Sequence, residues 1–131
     1  MSKQKKSLYG YCAITADFLH IGHIRLFEAC RLRCKRLIVG IMTDECVESY
    51  KGKKPVMDFV QRSQLVLSVK GIYKIFVQDS FEFPHHVLTL KDVYGDDFII
   101  FDNEKHNRLN ADVLIPYLEG ISSTKLKAEY L

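Results

Sequence analysis

The chain has 131 residues, 47% of them hydrophobic, which is enough for one globular domain with its own core. Its formal net charge of +3 is too small to indicate a nucleic-acid-binding coat. The first residues contain no apolar stretch of signal-peptide length. The sequence also has no continuous run of about eighteen apolar residues, the length expected of a transmembrane helix. Secretion and a membrane span are therefore disfavoured, and a cytoplasmic location is expected.

The chain order begins with a polar tail over 1–7, followed by a single predicted domain over 8–131. The aromatic and β-branched run over 8–15 predicts a strand buried on both faces. Apolar residues at helical spacing over 23–33 predict a helix. The run over 36–42 predicts a second buried strand.

Two helix starts are written into the next part of the sequence. Thr43-Asp44-Glu45 places acids in a first turn, and Asp58 followed by Gln61 is typical of a capping box. The remaining predicted elements are a strand over 73–77, a helix within 83–93, strands over 97–102 and 112–117, and a final helix from about Ser122.

Strands that alternate with helices predict an α/β fold: a Rossmann-like, parallel, five-stranded sheet with helices on both faces. Such sheets bind ligands beyond the carboxyl ends of their strands, where loops lead into helix N-termini. The chemistry is therefore expected at that edge.

The four cysteines lack the paired spacing of a zinc site and lie among apolar residues, which predicts buried, reduced thiols. They are Cys12, Cys30, Cys34 and Cys46. Cys30 and Cys34 are four residues apart and would share a helix face, which leaves metal binding as an alternative.

The first strand-to-helix junction contains His20-Ile21-Gly22-His23. Gly22 allows close approach of a ligand to the backbone, and a helix N-terminus offers unpaired amides to a phosphate. Imidazoles three residues apart lie on one side of a first turn and can donate hydrogen bonds to phosphoryl oxygens. Zinc is an alternative for His20 and His23, but a third and a fourth ligand are not evident.

Two further motifs fit a polyphosphate. Lys51-Gly52-Lys53-Lys54-Pro55 is predicted to be a mobile basic loop over the same sheet edge, suited to neutralising phosphate charge. Gly120-Ile121-Ser122-Ser123-Thr124-Lys125 combines hydroxyl groups with a helix start, which makes either an N-cap or a phosphate cradle.

Together these residues resemble the cytidylyltransferase-like nucleotidyltransferases, most closely the small glycerol-3-phosphate cytidylyltransferases. The resemblance runs from Tyr9 to the end of the chain. Its anchors are Thr15, Asp17, the His20–His23 motif, Thr43-Asp44-Glu45, Lys51, Lys53, Arg62 and Glu119-Gly120-Ile121-Ser122-Ser123-Thr124.

The resemblance implies that a substrate phosphate attacks the α-phosphorus of CTP directly and releases pyrophosphate, with Mg²⁺ accompanying the nucleotide and no covalent intermediate. It assigns catalysis to His20, His23 and Lys51. It also implies a homodimer. The implied nucleotide contacts are Thr15, Ala16, Asp17, Gly22, Lys53, Tyr117, Gly120, Ile121, Ser122, Ser123 and Thr124, and the implied acceptor contacts are Lys70 and His85.

The sequence departs from the family pattern mainly where acceptor and secondary phosphate contacts lie. Tyr117-Leu118 replaces an Arg-Thr pair, Lys70 replaces an arginine, and Tyr73 replaces an acid; a lysine does not reproduce a bidentate arginine clamp. Pro84, beside His85 and His86, replaces a lysine. Smaller departures are Ile14 for Gly, Ala16 for Phe and Asp102-Asn103-Glu104 for Gly-Asp-Asp.

These departures predict retained nucleotide binding with an acceptor other than glycerol 3-phosphate. Three other functions stay open. The first is an ATP-dependent adenylyltransferase that acts, for example, on flavin mononucleotide, and the second is a nucleotide-binding protein without turnover. The third is a nucleic-acid-binding module, which is disfavoured because the basic residues form no aromatic-interleaved stripe.

Overall fold

Parallel strand pairing organises this chain. The computed structural model describes residues 5–80, 83–103 and 111–116, with only the backbone of 83–85. In chain order its elements are β1 (Ser7–Ile14), α1 (Ile21–Arg31), β2 (Cys34–Met42), α2 (Asp44–Lys51), α3 (Phe59–Leu67), β3 (Ile72–Gln78), α4 (Phe83–Tyr94), β4 (Phe98–Asn103) and β5 (Val113–Ile115).

The described strands form one five-stranded sheet in the order β3-β2-β1-β4-β5, and every pair is parallel. Strand β1 is central, and the strands that follow it along the chain lie on both of its sides. The carboxyl ends of all the strands therefore meet at one edge, with a topological switch point beside β1. The predicted fold class is confirmed.

Helices cover both faces of the sheet. On one face α1 and α3 pack on an apolar cluster that includes Cys12, Ile14, Phe27, Cys30, Val39 and Val66. On the other face α2 and α4 contribute to a second cluster that includes Tyr11, Ile38, Val47, Leu90 and Ile100. Burial from both sides explains why β2 reads as a nearly continuous apolar run.

The predicted helix starts are confirmed by their caps. The Thr43 hydroxyl accepts a hydrogen bond from the Cys46 amide at 3.1 Å. Asp58 and Gln61 form the reciprocal capping box, with bonds of 2.9 Å and 3.3 Å. The first helix starts at Ile21, two residues earlier than predicted, because His20 serves as its N-cap.

Several boundaries differ from the predictions. Strand β1 already includes Ser7, which was assigned to the polar tail. Cys34 begins β2, so it does not share a helix face with Cys30, although all four cysteines are free and buried as predicted. Lys51 is the last residue of α2, and the basic loop begins at Gly52, whose φ of 79° suits glycine. The predicted final helix lies outside the described residues.

None of the helices in the described part of the chain is long and apolar enough to cross a membrane.

Arg62, on α3, joins the carboxyl ends of two strands. Its side chain is fully buried, and Nη1 donates to the carbonyl oxygens of Thr15 and Met42, both at 2.7 Å. Nε donates to the Met57 carbonyl at 2.9 Å, and Nη2 pairs with Asp44 Oδ1 at 2.6 Å. One guanidinium group thus ties β1, β2, α2 and the loop before α3 together.

We predict that Arg62→Met lowers the free energy of unfolding by about 3–5 kcal/mol, because it leaves a carboxylate and three carbonyl groups without their partner. Chemical denaturation followed by circular dichroism measures this loss. The matched control is Arg25→Met at an exposed position of α1, expected to change stability by less than about 0.5 kcal/mol. Equal losses in the two variants would contradict the role of Arg62.

Candidate active site

The loop between β1 and α1 has an unusual backbone. Ala16 and Phe18 have φ angles of 60° and 64°, a left-handed conformation that costs a residue other than glycine about 1–2 kcal/mol. Ala16 is only 1% exposed, so its methyl group belongs to the core. Such strain persists only where the surroundings impose it, and Asp17, between the two residues, supplies the constraint.

Asp17 links this loop to the basic loop. Its carboxylate is buried and accepts hydrogen bonds from the amides of Val56 at 2.9 Å and Met57 at 3.0 Å. The Met57 carbonyl in turn binds Arg62. Asp17 therefore positions the loop that follows α2, and its contact with the nucleotide stays a prediction.

His20 and His23 lie together at the start of α1, as predicted. Their ring centroids are 4.1 Å apart. His20 Nδ1 accepts a hydrogen bond from the Gly22 amide at 3.0 Å, and His23 Nδ1 accepts one from the His20 amide at 3.1 Å. The two imidazoles therefore form a reciprocal cap of the helix, a task usually performed by Ser or Thr with Glu.

This arrangement determines the protonation state of both rings. Because each Nδ1 is an acceptor, the proton of each neutral ring is assigned to Nε2. Burial lowers the pKa of His20. Burial and the neighbouring His20 lower the pKa of His23 to about 4. Near neutral pH the site therefore contains two neutral donors, and neither Nε2 bonds to another residue that the structure describes.

The amides of the first helical turn do not match the prediction. The Gly22 N–H donates to the His20 ring, and the His23 N–H donates to the His20 carbonyl at 3.0 Å. The prediction of unpaired amides at this helix start is therefore wrong for Gly22 and His23, whose N–H groups are bonded within the turn. The imidazole Nε2–H groups are donors that this turn offers to a ligand.

Thr15 and Lys51 lie close to one tyrosine. The hydroxyl groups of Thr15 and Tyr50 are 3.1 Å apart, and Lys51 Nζ lies 5.7 Å from the Tyr50 ring centroid. Lys53 is exposed in the loop after α2. The structure therefore brings the beginning of the basic loop to the end of β1, near the histidine turn.

Lys70 lies at the opposite edge of the sheet. It precedes β3, and its carbonyl accepts a hydrogen bond of 3.4 Å from Arg31 at the end of α1. The length of β3, roughly 20 Å, separates it from the carboxyl edge. The interpretation of Lys70 as an acceptor contact of this site is wrong for the single chain, because the parallel sheet places it before a strand.

The remaining predicted residues are only partly described. The backbone of His85 lies in the first turn of α4, while its side chain is outside the description. His86 is buried and contacts Gln78 and Asp79. Outside the described residues lie Tyr117, Gly120, Ile121, Ser122, Ser123 and Thr124.

A family model described as cytidylyltransferase-like matches residues 12–129, which include the histidine turn, the basic loop and the C-terminal serines. The chain belongs to the cytidylyltransferase-like family. It is therefore a nucleotidyltransferase, in agreement with the resemblance drawn from its motifs.

Curated relatives named bifunctional protein HldE cover most of this chain. The protein of Rhodopseudomonas palustris strain BisA53 is 31% identical over 121 residues, with 86% of this chain and 24% of the relative covered. The protein of Bradyrhizobium sp. strain ORS 278 is 35% identical over 121 residues, with 84% and 24% covered. This chain thus spans about a quarter of their length.

A solved structure has the same fold. The lipopolysaccharide core biosynthesis protein from Thermoplasma volcanium GSS1 superimposes with a TM-score of 0.66 at 18% identity, covering 93% of this chain and 84% of that chain. At this identity the likeness establishes the fold, and the substrates have to be argued from the site.

The described residues of this family member do not form a metal cage. No group of three or more His, Cys, Asp or Glu side chains in the described ranges is placed to hold a metal ion. Asp17 is occupied by two amides and Asp44 by Arg62. Mg²⁺ commonly binds through substrate phosphates and few carboxylates, and its binding with the nucleotide stays a prediction.

Sequence reasoning missed Tyr50 and the polar partners of His86. Tyr50 lies beside Lys51 with no local motif, and its contact with Thr15 depends on the packing of α2 against β1. Arg62 was identified only as part of the family resemblance. The available signal was a single arginine inside an apolar helical stripe, which is typical of a buried and fully paired guanidinium group.

We predict that His23 titrates at a pKa near 4 and carries its proton on Nε2. Between the ordinary value of 6.5 and about 4, the unfolded chain binds a proton at this ring that the folded chain does not. Stability contributed by this group is therefore complete above pH 6.5 and falls with pH through that window. Long-range ¹H–¹⁵N spectra of the imidazoles measure the pKa of His23 and show which ring nitrogen carries the proton. A pKa near 6.5 would contradict the capped geometry.

Proposed function

We propose that this chain transfers CMP from CTP to a phosphorylated sugar or polyol and releases pyrophosphate. The observation that carries the proposal is the histidine pair, whose Nδ1 atoms are both committed to the helix cap. Two neutral Nε2–H donors then remain beside the switch point of a parallel sheet, where such folds bind ligands. Donors fixed in advance favour charge that develops in a transition state.

The proposed reaction is a single displacement. An oxygen of the acceptor phosphate attacks the α-phosphorus of CTP and forms a new P–O bond, while the bond to the β-phosphate oxygen breaks. Pyrophosphate leaves with the bonding electron pair. His20 and His23 donate hydrogen bonds to phosphoryl oxygens whose negative charge shifts during this exchange, and Mg²⁺ bound to the nucleotide neutralises phosphate charge when present.

The lysines serve the leaving side of this reaction in the proposal. Lys51 and Lys53 lie on a segment that Asp17 attaches to the histidine turn through Val56 and Met57, which favours joint action of loop and turn on one triphosphate. Thr15, Ala16, Asp17 and Gly22 are proposed as the nucleotide contacts on the side of the histidine turn. Ser122, Ser123 and Thr124, with Tyr117, Gly120 and Ile121, are proposed to hold the nucleotide from the other side.

The acceptor class is proposed from the motifs, which resemble those of enzymes that use a phosphorylated small molecule as the acceptor. His85, at the start of α4, is proposed as an acceptor contact. Lys70 has no place in this acceptor site.

We also propose a homodimer that forms through β3. This strand is one of the two edges of the described sheet. Exposed apolar residues lie along it and the neighbouring α3, with Tyr73 at 37%, Val77 at 50% and Val60 at 60% exposure. An open, apolar edge strand favours pairing with a second copy.

Four free thiols favour a reducing compartment such as the cytoplasm.

We predict that His23→Ala lowers the rate of pyrophosphate release from CTP by about 10²–10³-fold, as expected when one transition-state donor is removed. The assay supplies Mg²⁺ and a panel of sugar and polyol phosphates. Arg25→Ala, an exposed change on the same helix, serves as the control, and circular dichroism confirms that both variants are folded. An unchanged rate in His23→Ala would refute the assigned role.

A second prediction concerns the nucleotide. CTP is expected to raise the melting temperature more than ATP, since a ligand that binds only the folded state stabilises it. Lys53→Ala should weaken this shift, whereas Lys35→Ala, at an exposed lysine near the start of β2, should leave it unchanged. A larger shift with ATP would identify the chain as an adenylyltransferase. Binding without pyrophosphate release would identify a nucleotide-binding protein that lacks turnover.

A further inference from the structure

A network of hydrogen-bonded, mostly buried side chains runs from the centre of the sheet to its carboxyl edge. It begins at Tyr11, whose phenol lies across β2 above Gly40, where an added Cβ would lie 1.8 Å from the hydroxyl oxygen. The Tyr11 hydroxyl donates to Gln78 Oε1, and burial raises the pKa of this phenol well above its ordinary value. The hydroxyl therefore remains a donor, and the amide oxygen of Gln78 is committed to it.

Gln78 determines the orientation of His86. With its oxygen occupied, the amide nitrogen Nε2 donates to the Ser80 carbonyl at 2.9 Å and to His86 Nδ1 at 3.0 Å. An amide NH₂ group can only donate, so Nδ1 of His86 is the acceptor and Nε2 carries the proton of the neutral ring. The edge-on contact of Phe76 with the ring, 5.7 Å between centroids, fixes it further.

This hydrogen-bond network ends on the exposed carboxylate of Asp79. His86 Nε2 donates to Asp79 Oδ1 at 2.8 Å, and the side-chain exposures are 10% for His86 and 68% for Asp79. Gln78 is fully buried. Apolar side chains of similar volume would usually serve the core equally well. What this chain of hydrogen bonds adds is a carboxylate held in one orientation at the surface.

Asp79 lies at the same edge as the histidine pair. It follows the last residue of β3, whose carbonyl accepts a hydrogen bond of 3.0 Å from the Thr43 amide at the end of β2. Two strand spacings, about 10 Å, separate β3 from β1, so the residues that follow these two strands lie along one edge of the sheet. A small molecule that lies along this edge with its phosphate beside His20 and His23 would direct its distal part towards β3.

We propose that Asp79 binds hydroxyl groups of the acceptor, and that His86 and Gln78 are positioning residues that orient its carboxylate. This inference rests on the proposed function. A carboxylate disfavours a phosphate and accepts hydrogen bonds from hydroxyl groups. It therefore selects an acceptor that carries its phosphate at one end and hydroxyl groups at the other.

The test compares acceptors that share a phosphate and differ in hydroxyl groups. Binding of sugar and polyol phosphates and of propyl phosphate is measured by calorimetry in the presence of CTP. The folded wild-type protein is expected to prefer its best sugar or polyol phosphate over propyl phosphate by about 10–100-fold, the range of a hydrogen bond to a charged group. Asp79→Ala should abolish this preference while the affinities for propyl phosphate and CTP stay unchanged.

The controls separate this inference from the proposed function. Asp92→Ala, an exposed aspartate of α4, should keep the wild-type preference, and His86→Gln should reduce it without changing the CTP affinity. A wild-type preference that survives in Asp79→Ala, or the absence of any preference in the wild type, would overturn the role of Asp79 alone. Failure of the wild-type protein to bind both CTP and ATP would overturn the proposed function and this inference with it.

Discussion

The site depends on one buried guanidinium group. The Arg62 side chain is fully buried. It donates hydrogen bonds to the carbonyl groups of Thr15 and Met42, at the ends of β1 and β2. Carbonyl groups at strand ends lose their ladder partners and require other donors when buried. Arg62 supplies these donors in a rigid fork, and through Met57 it also fixes the segment that Asp17 holds. The histidine turn and the basic loop therefore share one foundation.

The histidine pair couples stability to chemistry. A helix N-terminus needs acceptors for its first amides, and here the imidazole Nδ1 atoms of His20 and His23 provide them. The same bonds assign the protons to Nε2 and favour the neutral rings. No separate residue has to orient either imidazole, because the start of α1 performs that task. The expectation of free amides failed for this reason: the side chains that serve the ligand first satisfy the backbone.

Sequence patterns predicted most of the fold because the relevant interactions are local. Apolar runs buried on both faces identified β1 and β2, and the side-chain caps of Thr43 and Asp58 identified two helices. His20 and His23 could be placed together from the sequence because they lie within one turn. Lys70 was misplaced because its end of β3 is set by parallel pairing. The partners of Asp17, Val56 and Met57, could not be predicted because they lie about forty residues away.

The aspartates of the carboxyl edge separate two electrostatic environments. Asp17 is buried against amides and Asp44 is paired with Arg62, so their charges do not oppose a polyphosphate near Lys51 and Lys53. Asp79, which follows β3, is exposed and accepts a hydrogen bond from His86. A ligand that spans this edge meets cationic side chains at one end and a carboxylate at the other. This arrangement of charges suits a triphosphate near Lys51 and Lys53. It also suits the proposed acceptor, whose phosphate would lie near the histidines and whose hydroxyl groups would lie near Asp79.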